Sequence, residues 1–189
     1  MAKAVWEPRE LDPVHNGRYG TVAAPRMGVM LHYDGSMSDA GSVSWFGDPR
    51  CHVSYQTLVL DDGSWVRIAP DDRRAWHAGW CKTSDELLLP YRDANSAFYG
   101  VAVATTDGVD VTLIQALTVA WLVRSYFQLE GWSIADTHRI VGHSAEAVYP
   151  VGHRLAGQRG RKTDPEGTDP LNPILSVQDI RDLLPMVVL

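Results

Sequence analysis

A single mixed α/β domain is the fold this sequence predicts, on three observations. Short apolar runs at residues 27–33, 52–60 and 99–105 have strand length and are bounded by turn residues. Between residues 112 and 130 the apolar positions recur at helical spacing instead. Both patterns share one chain of 189 residues without internal repeats or a convincing linker, a length that buries a sizeable core in one domain. We therefore expect a mixed central β-sheet flanked by helices.

Taken in order, residues 1–26 are polar and contain Pro8, Pro13, Gly17, Gly20 and Pro25. They read as an irregular N-terminal arm ahead of a domain at 27–189. The run 27–33 suits a buried strand that carries His32 at its end, after which Asp34-Gly35-Ser36 turns the chain away. A second strand over 52–60 meets Asp61-Asp62-Gly63, a hairpin turn signal, and 64–69 returns as its partner. Trp76-His77-Ala78-Gly79 opens a long loop that closes near Asn95, and 99–105 supplies another central strand. Thr112-Leu113-Ile114-Gln115 has the form of a capping box. Leu113, Ile114, Leu117, Ala120 and Trp121 then follow at helical spacing, and Gly131 is a C-terminal stop. A short strand at 139–141 feeds His143, a Gly- and Pro-rich loop follows, and a helix over 177–184 closes the chain.

Composition removes several function classes. A hydrophobic fraction of 45 % and a net charge of −6 belong to an ordinary soluble globular protein. That charge argues against nucleic acid as a partner, because such binding rests on phosphate neutralisation. A local basic cluster from Arg154 to Lys162 reads as a solvated loop or as a contact for an anionic ligand. The two cysteines, Cys51 and Cys81, form no CxxC pair, so they are buried small residues or one isolated bridge. No run approaches the roughly 18 apolar residues of a membrane span, and the charged, Pro8-containing start does not resemble a signal peptide. The expectation is cytoplasmic synthesis without a membrane anchor.

Three separated residues suggest chemistry. His32 ends an apolar strand, His143 follows another, and Asp164 lies in Arg161-Lys162-Thr163-Asp164-Pro165. Two histidines and an aspartate would leave a fourth position open for water, the stoichiometry of a catalytic zinc site. Lys162 adds a cation where a developing oxyanion would need one. Each histidine taken alone is more often an ordinary half-buried residue, and seven histidines make accidental pairs common.

The order of motifs is more specific. His32-Tyr33, Val53-Ser54-Tyr55, Asp62-Gly63, Trp76-His77-Ala78-Gly79, the run from Asn95 to Gly100, Gly142-His143-Ser144 and Lys162-Thr163-Asp164-Pro165 occur in sequence. Together they resemble the type 2 zinc N-acetylmuramoyl-L-alanine amidases, from about Met27 to Gly167. That superfamily includes the T7-type phage lysozymes and the animal peptidoglycan recognition proteins. The resemblance implies their fold and Zn²⁺ held by His32, His143 and Asp164. It also implies Lys162 at the oxyanion, Tyr55 beside the attacking water, and the loop residue His77 near the substrate cleft. Trp76 and Trp80 would stack on sugars or pack the loop. His153, in an insertion at 148–157, is an outside candidate for a ligand.

The chain departs from one branch, which carries a catalytic glutamate where Gly100-Val101-Ala102 has none. The function implied is hydrolysis of the amide between N-acetylmuramic acid and L-alanine in bacterial peptidoglycan. The expected protein is a monomeric phage or prophage endolysin that reaches the wall through a membrane lesion. The alternatives are a peptidoglycan-binding module without catalysis and a cytosolic amidase that recycles muropeptides.

Overall fold

The computed structural model describes residues 7–15, 17–36, 38–81, 92–105, 110–146, 154 and 175–189. Along the chain run β1 (Glu10–Leu11), β2 (Tyr19–Thr21), β3 (Gly28–Tyr33) and α1 (Asp39–Gly47). Next come β4 (Thr57–Val59), β5 (Trp65–Arg67), β6 (Arg73–Ala75), β7 (Trp80–Cys81), β8 (Arg92–Asp93) and β9 (Phe98–Val103). The last third holds α2 (Leu113–Glu130), a 3-10 turn at Thr137–Arg139, β10 (Ile140–Gly142), α3 (His143–Glu146) and α4 (Val177–Leu183). The main sheet has the order β1-β5-β4-β9-β3-β10, and two small ladders join β2 to β6 and β7 to β8. Strands β4, β9, β3 and β10 are mutually parallel, whereas β5 runs against β4. The sheet is mixed, as expected.

Alternation along β3 and β9 gives this sheet two different faces. Val29 and Leu31 with Tyr99, Val101 and Val103 pack against Val119, Val123 and Phe127 of α2 and Ile180 of α4. On the opposite face, Met30 and Phe98 meet Ala78, Cys81 and Ala94, while Ala102 and Leu58 meet Phe46 of α1 and Tyr55. The second face is the one that also carries His32.

The local signals act where the sequence placed them. Thr112 accepts the Gln115 N–H at 3.3 Å and Gln115 Oε1 accepts the Thr112 N–H at 2.9 Å, so both halves of the capping box form. Gly131 ends α2 at φ 70°, a left-handed cap that glycine adopts without steric cost. The Asp61-Asp62-Gly63 turn closes the β4–β5 hairpin through Leu60 N–H to Ser64 O at 2.8 Å.

Several elements differ from expectation; among them, β7 and β8 fall inside the expected loop from Trp76 to Asn95, and α3 begins where a loop was expected after β10. The segment at 1–26 contains two strands: the edge of β5 takes up β1, with Trp65 N–H donating to Arg9 O and Val14 N–H to Arg67 O, and β2 pairs with β6. The expected strand over 52–60 contracts to Thr57–Val59, since Ser54 N–H donates to Trp76 O rather than to a sheet partner. Helix α1 was not foreseen. Its Gly41, Ser42, Ser44 and Gly47 are poor helix formers, but Ser38 caps it and Phe46 buries one face. Cys51 and Cys81 are both buried and are not bridged to each other.

Candidate functional site

His32 is the fifth residue of β3, held between β9 and β10, where its register partner is Ala102. His143 follows β10 directly, one residue after Gly142 pairs with Leu31. Both therefore sit at the carboxyl ends of adjacent parallel strands, the usual location of ligand sites in such sheets. Their ring centroids are 4.7 Å apart, and both rings are fully buried. Tyr55, from the loop before β4, brings its ring to 4.9 Å from His32 and rests on Phe46 at 5.4 Å.

His77 completes the cluster. Its ring is 7 % exposed and stands 5.1 Å from that of His32. His77 Nε2 lies 3.2 Å from the carbonyl oxygen of Phe98, and His77 Nδ1 lies 3.0 Å from His32 Nε2. Burial, reinforced by His32 and His143, holds His77 well below the ordinary histidine pKa, so the imidazole is neutral. A carbonyl oxygen only accepts, so the single proton of His77 is on Nε2 and its Nδ1 accepts from His32. On the other side, His143 Nε2 donates to Ala78 O at 2.9 Å. Asn95 anchors the turn between them: its Oδ1 accepts the N–H groups of His77, Ala78 and Gly79 at 2.8, 2.8 and 3.2 Å.

His32, His143, Tyr55 and His77 are thus brought together from four separate parts of the chain. Sequence reasoning missed the part played by Asn95, since nothing local links it to residues 77–79. Lys162, Asp164 and His153 lie outside the described residues. Among the described residues, no group of three His, Cys, Asp or Glu side chains is arranged to hold a metal ion. Trp76 is partly exposed, with the Arg74 guanidinium 3.8 Å above its ring. Ala102 is buried beside His32 and presents only a methyl group there.

The fold recurs in solved structures. A selenomethionine AmpD derivative matches with a TM-score of 0.67 at 23 % identity, over 94 % of each chain. AmpDH3 from Pseudomonas aeruginosa, solved in complex with an anhydromuramic pentapeptide, matches with a TM-score of 0.59 at 19 % identity, over 96 % of this chain and 65 % of that one. A mutant endolysin from Bacillus subtilis matches with a TM-score of 0.52 at 17 % identity, over 73 % of this chain and 85 % of that one. By sequence, the chain is 31 % identical over 80 residues to N-acetylmuramoyl-L-alanine amidase A of Achromobacter lyticus. That match spans 41 % of each protein. The family model described as N-acetylmuramoyl-L-alanine amidase, Amidase_2, matches residues 23–167, a range that contains every histidine of the buried cluster. With that range covering most of the sheet and His32, Tyr55, His77 and His143 together, the chain belongs to the Amidase_2 family of N-acetylmuramoyl-L-alanine amidases.

Proposed function

We propose that the protein hydrolyses the amide between N-acetylmuramic acid and the L-alanine of the peptidoglycan stem, with a zinc ion held by His32, His143 and Asp164. The observation that carries this reading is the pair of buried imidazoles, 4.7 Å apart, at the ends of two parallel strands. Imidazole nitrogens whose ring is held by a hydrogen bond at the second nitrogen are the donor type that suits Zn²⁺. The residues fit the ion. Asp164 would add a carboxylate oxygen and complete a three-ligand set.

Zinc bound there would supply Lewis-acid activation of the scissile carbonyl and of water. The remaining work belongs to the chain. Lys162 is assigned to the negative charge that grows on the carbonyl oxygen, a stabilisation made only in the transition state. The Tyr55 phenol, beside His32, is assigned to orienting the attacking water and the departing stem amine. With a methyl group at Ala102, no carboxylate at that position shares this task.

The enzyme is read as monomeric and endolysin-like, acting on the wall after release. Among the described residues no helix is long and apolar enough to cross a membrane. A second reading, cleavage of soluble muropeptides, draws on the AmpDH3 complex, which has the same fold and an anhydromuramic pentapeptide bound. The test is a digest of whole sacculi beside soluble anhydro-muropeptides, read by mass spectrometry with zinc content measured on the same sample. We expect about one zinc per chain and new L-alanine amino termini. His32→Ala should lose both, and His153→Ala should keep the metal. Full zinc and activity in His32→Ala would sink the assignment.

A further inference from the structure

The hydrogen bonds behind the two histidines share one source. Within three consecutive residues, the His77 ring engages His32 Nε2 and the Ala78 carbonyl engages His143 Nε2. The three N–H groups of this turn converge on one oxygen, Asn95 Oδ1, so the turn is held as a unit. A neutral imidazole has one N–H, and which nitrogen carries it is set by the acceptor it meets. The two acceptors that this turn supplies, His77 Nδ1 and Ala78 O, both face Nε2.

We propose that the His77-Ala78-Gly79 turn, locked by Asn95, is the outer shell of the metal site and sets both histidines as Nε2–H tautomers. The nitrogen with the lone pair toward a metal is then Nδ1 in each ring. The inference rests on the zinc reading for its purpose, but the tautomers are a property of the metal-free protein. His77 is a positioning residue: it acts on the ion only through His32. Its place in the relay depends on Phe98 O, which accepts a hydrogen bond from His77 Nε2–H and so leaves His77 Nδ1 as the acceptor.

Long-range ¹H–¹⁵N correlation spectra of the zinc-free protein, with histidines ¹⁵N-labelled and assigned by single variants, report the tautomers directly. We expect Nε2–H for both His32 and His143. An Nδ1–H form of either residue overturns the proposal. Two variants then test His77 by zinc competition against a chelating dye. His77→Asn places an oxygen near the position of ring Nδ1 and should stay within a few-fold of the parent. His77→Leu has no acceptor and should bind zinc about 10–100-fold more weakly, the usual effect of losing an outer-shell partner. Parent-like affinity in a folded His77→Leu protein would overturn the role. A parent protein that bound no zinc, yet showed both Nε2–H forms, would refute the zinc reading while supporting tautomer control by the turn.

Discussion

A side chain cannot be added at position 100 without disturbing a histidine that is not its neighbour in sequence. A Cβ on Gly100 would lie 2.7 Å from Cγ of His77, inside the range of normal carbon contacts. Gly100→Ala should therefore shift the His77 ring and weaken zinc binding, although residue 100 is no ligand. Overpacking of this kind costs about 1–3 kcal/mol, so a thermal melt run with the zinc titration separates the local effect from unfolding. Tyr55→Phe tests the neighbouring residue. It should keep the metal and lose turnover, because the phenol is assigned to water and the leaving amine rather than to the ion. Full activity across pH 5 to 9 would make Tyr55 a packing residue against Phe46.

Helix α2 owes its start to two reciprocal hydrogen bonds, and one tight turn packs against its first residues. Thr112→Ala removes the side-chain acceptor for Gln115 N–H and should cost about 1 kcal/mol. In a protein of this size that lowers Tm by roughly 2–4 °C. The hairpin turn touches the same helix. Gly63 has φ 79°, and a Cβ there would meet Ile114 Cγ1 at 2.5 Å. Gly63→Ala combines backbone strain with a clash against α2 and should destabilise more than Thr112→Ala does, by calorimetry. Equal or smaller destabilisation would mean that the hairpin yields where α2 does not.

Across the whole molecule, a polar seam ties the face of the sheet under α2 to the loop after β5. Tyr126 donates to Asp71 Oδ1 at 3.0 Å, Arg67 pairs with the same carboxylate, and Tyr99 stacks on Tyr126 at 4.1 Å. Burial first, then the Asp71 charge, raises the Tyr126 pKa well above its ordinary value. Above about pH 10, the ordinary tyrosine value, the unfolded chain releases this proton while the folded one keeps it. The folded state then binds more protons, so stability falls as pH rises. Denaturant melts between pH 8 and 11 should show this loss, and Tyr126→Phe should flatten it. An unchanged slope in that variant would place the alkaline sensitivity elsewhere.

The sequence by itself determined the parts whose causes are local. The strand carrying His32, the hairpin at Asp61-Asp62-Gly63, the boundaries of α2 and the strand feeding His143 depend on residues within a turn or two of one another. Motif order also carried the family and the choice of His32, His143, Tyr55 and His77. Helix α1 was not legible, because its glycines and serines disfavour a helix that only the burial of Phe46 rewards. Tertiary structure alone decided what each histidine touches. His32 meets His77 across 45 residues and His143 meets Ala78 across 65. A proton's place on an imidazole depends on the acceptor packed against it, and that acceptor exists only once the sheet and the Asn95-anchored turn have come together.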